Sequence, residues 1–127
     1  MSDAHEDMLR TVYESVAKGD METVMGLLTD DIEFHIFGRS PVSGRYSGKD
    51  EILRFFGKLI ETYGDTFQLE VQDILVNHKH GVALTRERSQ RGGKITENRA
   101  VHVHDIRDGK CAACRAYNED AWDEFWA

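Results

Sequence analysis

Proline is nearly missing from this chain. Of 127 residues, only Pro41 is proline, and only Cys111 and Cys114 are cysteine. Two cysteines are too few for a disulfide-built scaffold. No apolar run approaches the ~18 residues of a membrane-spanning helix. The opening MSDAHEDMLR is acidic and polar, without the apolar segment of a secretory signal. Positive charge is also short. Sixteen Lys and Arg face 23 Asp and Glu, for a net charge of −7. Nucleic acids and anionic membranes need a basic footprint, so neither is expected as a partner. Together these absences predict a cytoplasmic protein. What is present, 40% hydrophobic and 31% charged residues, suits one globular domain over 1–127 with a core able to stand alone.

The two cysteines form CAAC. Redox pairs of this spacing sit at helix N-termini, and zinc sites want further ligands. Here the motif falls in a predicted strand, where residues three apart point to opposite faces. Two small buried apolar residues are expected, with no metal and no redox role.

Periodicity divides the rest. Residues 4–18 carry Met8, Leu9, Val12, Tyr13, Val16 and Ala17 at helical spacing, and Gly19 stops the helix. Asp20 caps a second short helix with Met21, Val24, Met25, Leu27 and Leu28, ended by TDD at 29–31. IEFHIF, 32–37, alternates as a strand. GRSPVSGRYSG, 38–48, reads as a loop. A third helix covers 49–63, with Ile52, Phe56, Leu59, Ile60 and Tyr63 on one stripe and Leu53 and Phe55 beside it. Beyond residue 65 the period becomes two. Four antiparallel strands are expected at about 66–77, 81–91, 94–107 and 110–118, joined by NHKHG, RGGK and RDGK. Three helices and a long meander make an α+β domain. A long twisted sheet curls over the helices and leaves a cone-like barrel with a cavity inside.

One strand is odd. In RAVHVHDIRDG, His102 and His104 lie two apart, so both imidazoles share a face where a core strand would carry apolar residues. With RGGK as a two-residue hairpin loop, Glu87 pairs with Asn98, Thr85 with Ala100 and Ala83 with His102. One face then holds Thr85, Glu87, Asn98, His102 and His104. The other holds Leu84, Arg86, Arg88, Glu97, Arg99, Val101 and Val103. H-x-H on a strand also suits zinc, with His35 or Glu87 as a third ligand. The polar His78 and His80 read as a solvated turn.

The chain resembles the SnoaL-like branch of the nuclear transport factor 2-like superfamily, which includes ketosteroid isomerases, limonene epoxide hydrolases and polyketide cyclases. The resemblance rests on AKGDMETVMGLLTDDIEFHIFGRSPVSGRYSGKDEILRFF, RGGKITENRAV, DGK and YNEDAWDEFWA, and covers nearly the whole chain. It implies that the face with Asn98 and His102 lines the cone and that the opposite face makes a homodimer. Isomerase roles match badly: Val12 falls in the tyrosine slot with Tyr13 one place off, Ile36 in the base slot, and His102 at or near the acid slot. Arg99 and Glu97 lack the second acid of the hydrolase, and Asp120 is a loose counterpart of the cyclase aspartate.

The expected catalytic candidates are therefore His102, His104 and Glu87, since a neutral imidazole suits acid/base work near pH 7. His35, Tyr13, Phe56, Asn98, Tyr117, Asp120 and Trp122 are candidates for lining the ligand site; His35 would share its mouth with Arg39, and Trp126 joins the closing aromatics. No cofactor and no metal is expected. Three readings stay open: a cofactor-independent enzyme (isomerase, cyclase, dehydratase or hydrolase) on a small apolar organic molecule, a non-catalytic binder of such a ligand, and an accessory dimerisation domain.

Overall fold

The fold is taken from a computed structural model, which describes residues 2–38, 40–91 and 93–118. Helices α1 (Ser2–Lys18), α2 (Met21–Gly26) and α3 (Lys49–Tyr63) lie against strands β1 (Leu28–Ile36), β2 (Gly44–Ser47), β3 (Gln68–Val76), β4 (His80–Arg91), β5 (Lys94–Arg107) and β6 (Lys110–Asn118). The strands form one sheet in the order β2-β1-β6-β5-β4-β3. It is a curved, unclosed mixed sheet over the helices, an α+β cone. All pairs are antiparallel except β1 with β6.

Helix α3 has the bounds that its periodicity predicts, but its buried seam is rotated. Ile52 and Phe55 are buried while Ile60 is 67% exposed, so Phe55 belongs to the central stripe and Ile60 does not. Helix α2 is capped by Asp20, whose carboxylate accepts from the Thr23 backbone N–H at 3.2 Å. It ends at Gly26, and the chain is extended from Leu28 onward. The TDD segment thus lies inside β1, and Leu28 is a strand residue of the core rather than the end of a helix. The expected loop 38–48 contains β2, held to β1 from Glu33↔Ser47 to Ile36↔Gly44.

The β4–β5 hairpin keeps the register set by its turn, with Arg91 opposite Lys94, Glu87 opposite Asn98 and Ala83 opposite His102. Asp108 and Gly109 both take positive φ, 53° and 73°, as a two-residue hairpin turn requires. The core gathers where α1 and α2 meet the sheet: Leu9, Val24, Leu28, Ile32 and Ile52 have no exposed surface. At Gly81 helix and sheet come so close that a Cβ there would stand 2.3 Å from Leu9 Cδ1.

A candidate site at the open end of the cone

Away from this core the helices diverge from the sheet and leave a cavity of about 290 Å³. Val12 and Val16 of α1, Phe34 of β1, and Phe55, Phe56 and Leu59 of α3 give it an apolar wall. Phe34 meets Phe55 and Phe56 edge to face at 5.7 and 6.3 Å between ring centres. Polar groups come from the sheet, because β4, β5 and β6 turn Glu87, Asn98, His102, His104 and Asn118 inward, from Tyr13 of α1, and from Ser40 and Ser43 before β2.

Tyr13 is the hub. Its hydroxyl oxygen is 2.7 Å from Nδ1 of His102 and 2.7 Å from Nε2 of His104. The Tyr13 ring lies nearly parallel to His102, at 20°, and edge-on to His104, at 85°. Nδ1 of His104 is 3.3 Å from Cys111 Sγ, and that thiol donates to the Ala113 carbonyl, also at 3.3 Å. On the other side, His102 Nε2 lies 3.6 Å from a Glu87 oxygen. Glu87 accepts from Asn98 Nδ2 at 3.4 Å, which also donates to Asn118 Oδ1 at 3.0 Å. Asn118 Nδ2 donates in turn to the Phe37 carbonyl at 2.7 Å. Asn98 Oδ1 is shielded from solvent and has no hydrogen-bond partner among the described residues.

Burial governs the ionisation of these groups. His104 is pushed down to about 3, first by desolvation and then by neighbouring His102, so its ring is neutral at pH 7. Desolvation raises the Tyr13 phenol and the Cys114 thiol well above their ordinary values and the Cys111 thiol to about 12. Neither cysteine is a thiolate at neutral pH.

The cysteines do not lie on opposite faces. Between Asp105↔Ala113 and Ile106↔Cys111 the register shifts by one residue on β6. That inserted residue restores the parity, so Cys111 and Cys114 both point inward and both are buried. A bulge has this effect wherever two residues oppose one. Donor atoms of His102, His104 and Cys114 all lie within 4.8 Å of one another, a set of types that zinc accepts. The Tyr13 hydroxyl already engages both imidazoles, and Cys114 is held as the neutral thiol.

Of the expected site residues, His102, His104, Glu87, Tyr13, Phe56 and Asn98 line the cavity. His35 and Tyr117 do not: strand parity turns His35 away, and the β6 bulge turns Tyr117 to the outer face. His35 alternates with the inward Phe34 and Ile36 and lies against Phe37, ring centres 3.7 Å apart and tilted by 34°. Tyr117 pairs with Val101 on the outer face, is 44% exposed and stacks on Phe37 at 4.7 Å. Asp120, Trp122, Trp126 and Arg39 lie outside the described residues. Arg99 and Glu97 border an outer cleft with Arg86, away from the histidines. Asn118 and the Cys111 contact were not found from the sequence. The turn RDGK alone would set Tyr117 opposite Ala100 and so inside; the bulge moves Asn118 there instead, and nothing local marks it.

A family model described as a SnoaL-like domain matches residues 9–114. The uncharacterized protein Rv0034 of Mycobacterium tuberculosis is 25% identical over 128 residues, spanning 98% of both chains. Among solved structures, Bal32a from a soil-derived mobile gene cassette superposes with a TM-score of 0.88 at 27% identity, over 99% of this chain and 98% of that one. An NTF2-like protein from Burkholderia xenovorans superposes with a TM-score of 0.81 at 15% identity, over 98% and 96%. With a family match over most of its length, this chain belongs to the SnoaL-like domain family.

Proposed function

We propose that this protein binds a small, largely apolar organic molecule in the cone and that His102, beside Glu87, moves a proton on it without a cofactor. The observation that carries the reading is the His102–Glu87 pair, 3.6 Å apart, set into the wall of a largely apolar cavity. Ligand pockets combine apolar lining with a few convergent polar groups in this way. His102 touches the cavity and is the catalytic residue; Glu87 takes up the charge when the imidazole carries a proton. His104 is bonded on both ring nitrogens, so it is a positioning residue rather than a second catalyst.

Native mass spectrometry of protein purified without organic extraction tests the pocket. A bound small organic molecule is expected; bare protein that no apolar compound stabilises against heat would overturn the reading. Once a substrate is in hand, His102→Ala should lower turnover ~10²–10⁴-fold, the range of a general acid/base. Undiminished turnover leaves the second reading, a non-catalytic binder. That reading draws on the saturation of Tyr13, His104 and Cys111 by one another. In both readings the protein is taken as a cytoplasmic homodimer.

A further inference from the structure

Glu87 sets the charge of the cavity. Among the described residues that line it, Glu87 is the one acidic side chain, and none is lysine or arginine. His104 is held neutral by burial and supplies no counter-charge. On the sheet, Glu87 stands between Leu69 of β3 and Asn98 of β5. Along β4, Thr85 and Ser89 share its face, being two residues away on either side. All four neighbours are uncharged, so the strands offer the carboxylate no ion pair across or along the sheet.

The carboxylate is also short of donors. It has room for about four hydrogen bonds, and strong charge-assisted ones are about 2.7–2.9 Å long. Asn98 Nδ2 reaches one Glu87 oxygen at 3.4 Å, and His102 Nε2 reaches the other at 3.6 Å. Both contacts are long whichever way the hydrogen bond between Tyr13 and His102 runs. The Glu87 side chain keeps 21% of its surface exposed, and it faces the cavity, so a ligand can reach it. The rest of the wall suits a positive group. Phe34, Phe37, Phe55, Phe56, Tyr63 and Phe67 all line the cavity, and aromatic faces are negative and attract cations. The net charge of −7 adds a long-range field of the same sign.

We propose that the cavity takes an apolar molecule bearing a protonated amine, whose ammonium group pairs with Glu87, and that it rejects carboxylates and other anions. This rests on the pocket reading above and names its substrate class. An ammonium at Glu87 supplies the charge that a proton on His102 would otherwise supply, and it leaves the imidazole as the base of the pair.

Three probes of one ring system separate the possibilities: 2-naphthylmethylamine, a cation at pH 7, the neutral 2-naphthylmethanol, and the anion 2-naphthoate. Calorimetric titration of the wild-type protein at pH 7 should give the amine at least about tenfold tighter binding than the alcohol, the worth of one hydrogen bond to a charged partner, and no binding of 2-naphthoate. Glu87→Gln should bring the amine to the affinity of the alcohol, and continued binding of the alcohol shows that the variant keeps its cavity. An amine bound no tighter than the alcohol, or 2-naphthoate bound best, overturns the cation rule while the pocket stands. An amine preference that survives in Glu87→Gln overturns it too, because the cation then sits on the acidic surface and not at Glu87. Failure of all three probes to bind overturns the pocket reading, and the cation rule with it.

Discussion

His104 ties stability to pH. Its folded value is about 3, against about 6.5 for an unhindered imidazole. Between those values the unfolded chain binds a proton that the native protein excludes. Stability should therefore be full above about pH 6.5 and fall as the pH drops toward 3, at up to about 1.4 kcal/mol per pH unit for this group alone. Urea midpoints at pH 7 and pH 4.5 measure it, above the range in which Asp20 and Asp31, held low by Thr23 and Arg107, titrate. His104→Asn should be weaker at pH 7 but nearly flat between the two; a slope equal to wild type would contradict the assignment. Gly81 tests packing at the same scale. The position needs no side chain because Leu9, fully buried, occupies the space a Cβ would enter. Gly81→Ala should cost about 1–3 kcal/mol, as overpacking does, and should cost less in a Leu9→Ala background than in the wild type, as a double-mutant cycle would measure.

At the scale of elements, the bulge in β6 makes a separate prediction. It turns Cys111 and Cys114 into the same interior, where burial keeps both protonated. Native protein should leave both thiols unmodified by a thiol-disulfide reagent at pH 8, and urea should release two equivalents; rapid labelling without denaturant would refute the burial. The bulge also marks the limit of reading from sequence. Helix α3, the β4–β5 register and the inward face of His102 were legible because each rests on an uninterrupted period or on a two-residue turn. An inserted residue changes no residue type, so CAAC looked like plain alternation. Strand β2 was hidden in the glycine- and serine-rich segment 38–48, since its stability comes from pairing with β1 rather than from its composition. The α2–β1 boundary misled for a similar reason: Leu27 and Leu28 continue a helical spacing, but Leu28 is needed in the strand that pairs with β6 at Cys111. Tyr13 was visible as a helix residue. Its contact with two histidines was not, because the rotation of α1 against the sheet is set by packing, not by the pattern of α1 itself.

For the whole molecule, the open question is what covers the convex face of the sheet. The inner face is taken by helices and cavity, so every second residue of β4, β5 and β6 must face outward. Val101, Leu84 and Tyr117 do so with 37%, 38% and 44% of their surface exposed, and Val101 lies opposite both of the others in the register. Contiguous apolar side chains on a sheet face mark an interface more often than a solvated surface. Flanking them, Arg115 pairs with Asp105 at 3.0 Å and Arg88 with Glu97 at 3.8 Å, a charged rim around an apolar centre. We expect a homodimer through this face. A stable one should bury more than about 1,000 Å² in total, and light scattering at micromolar concentration should give twice the 14.5 kDa of one chain. Val101→Lys places a charge in this apolar face and should yield monomer with the cavity intact. A wild-type protein that scatters as a single chain would reject the dimer without touching the cone, because the site is assembled from α1, α3 and the concave side of the sheet of one chain.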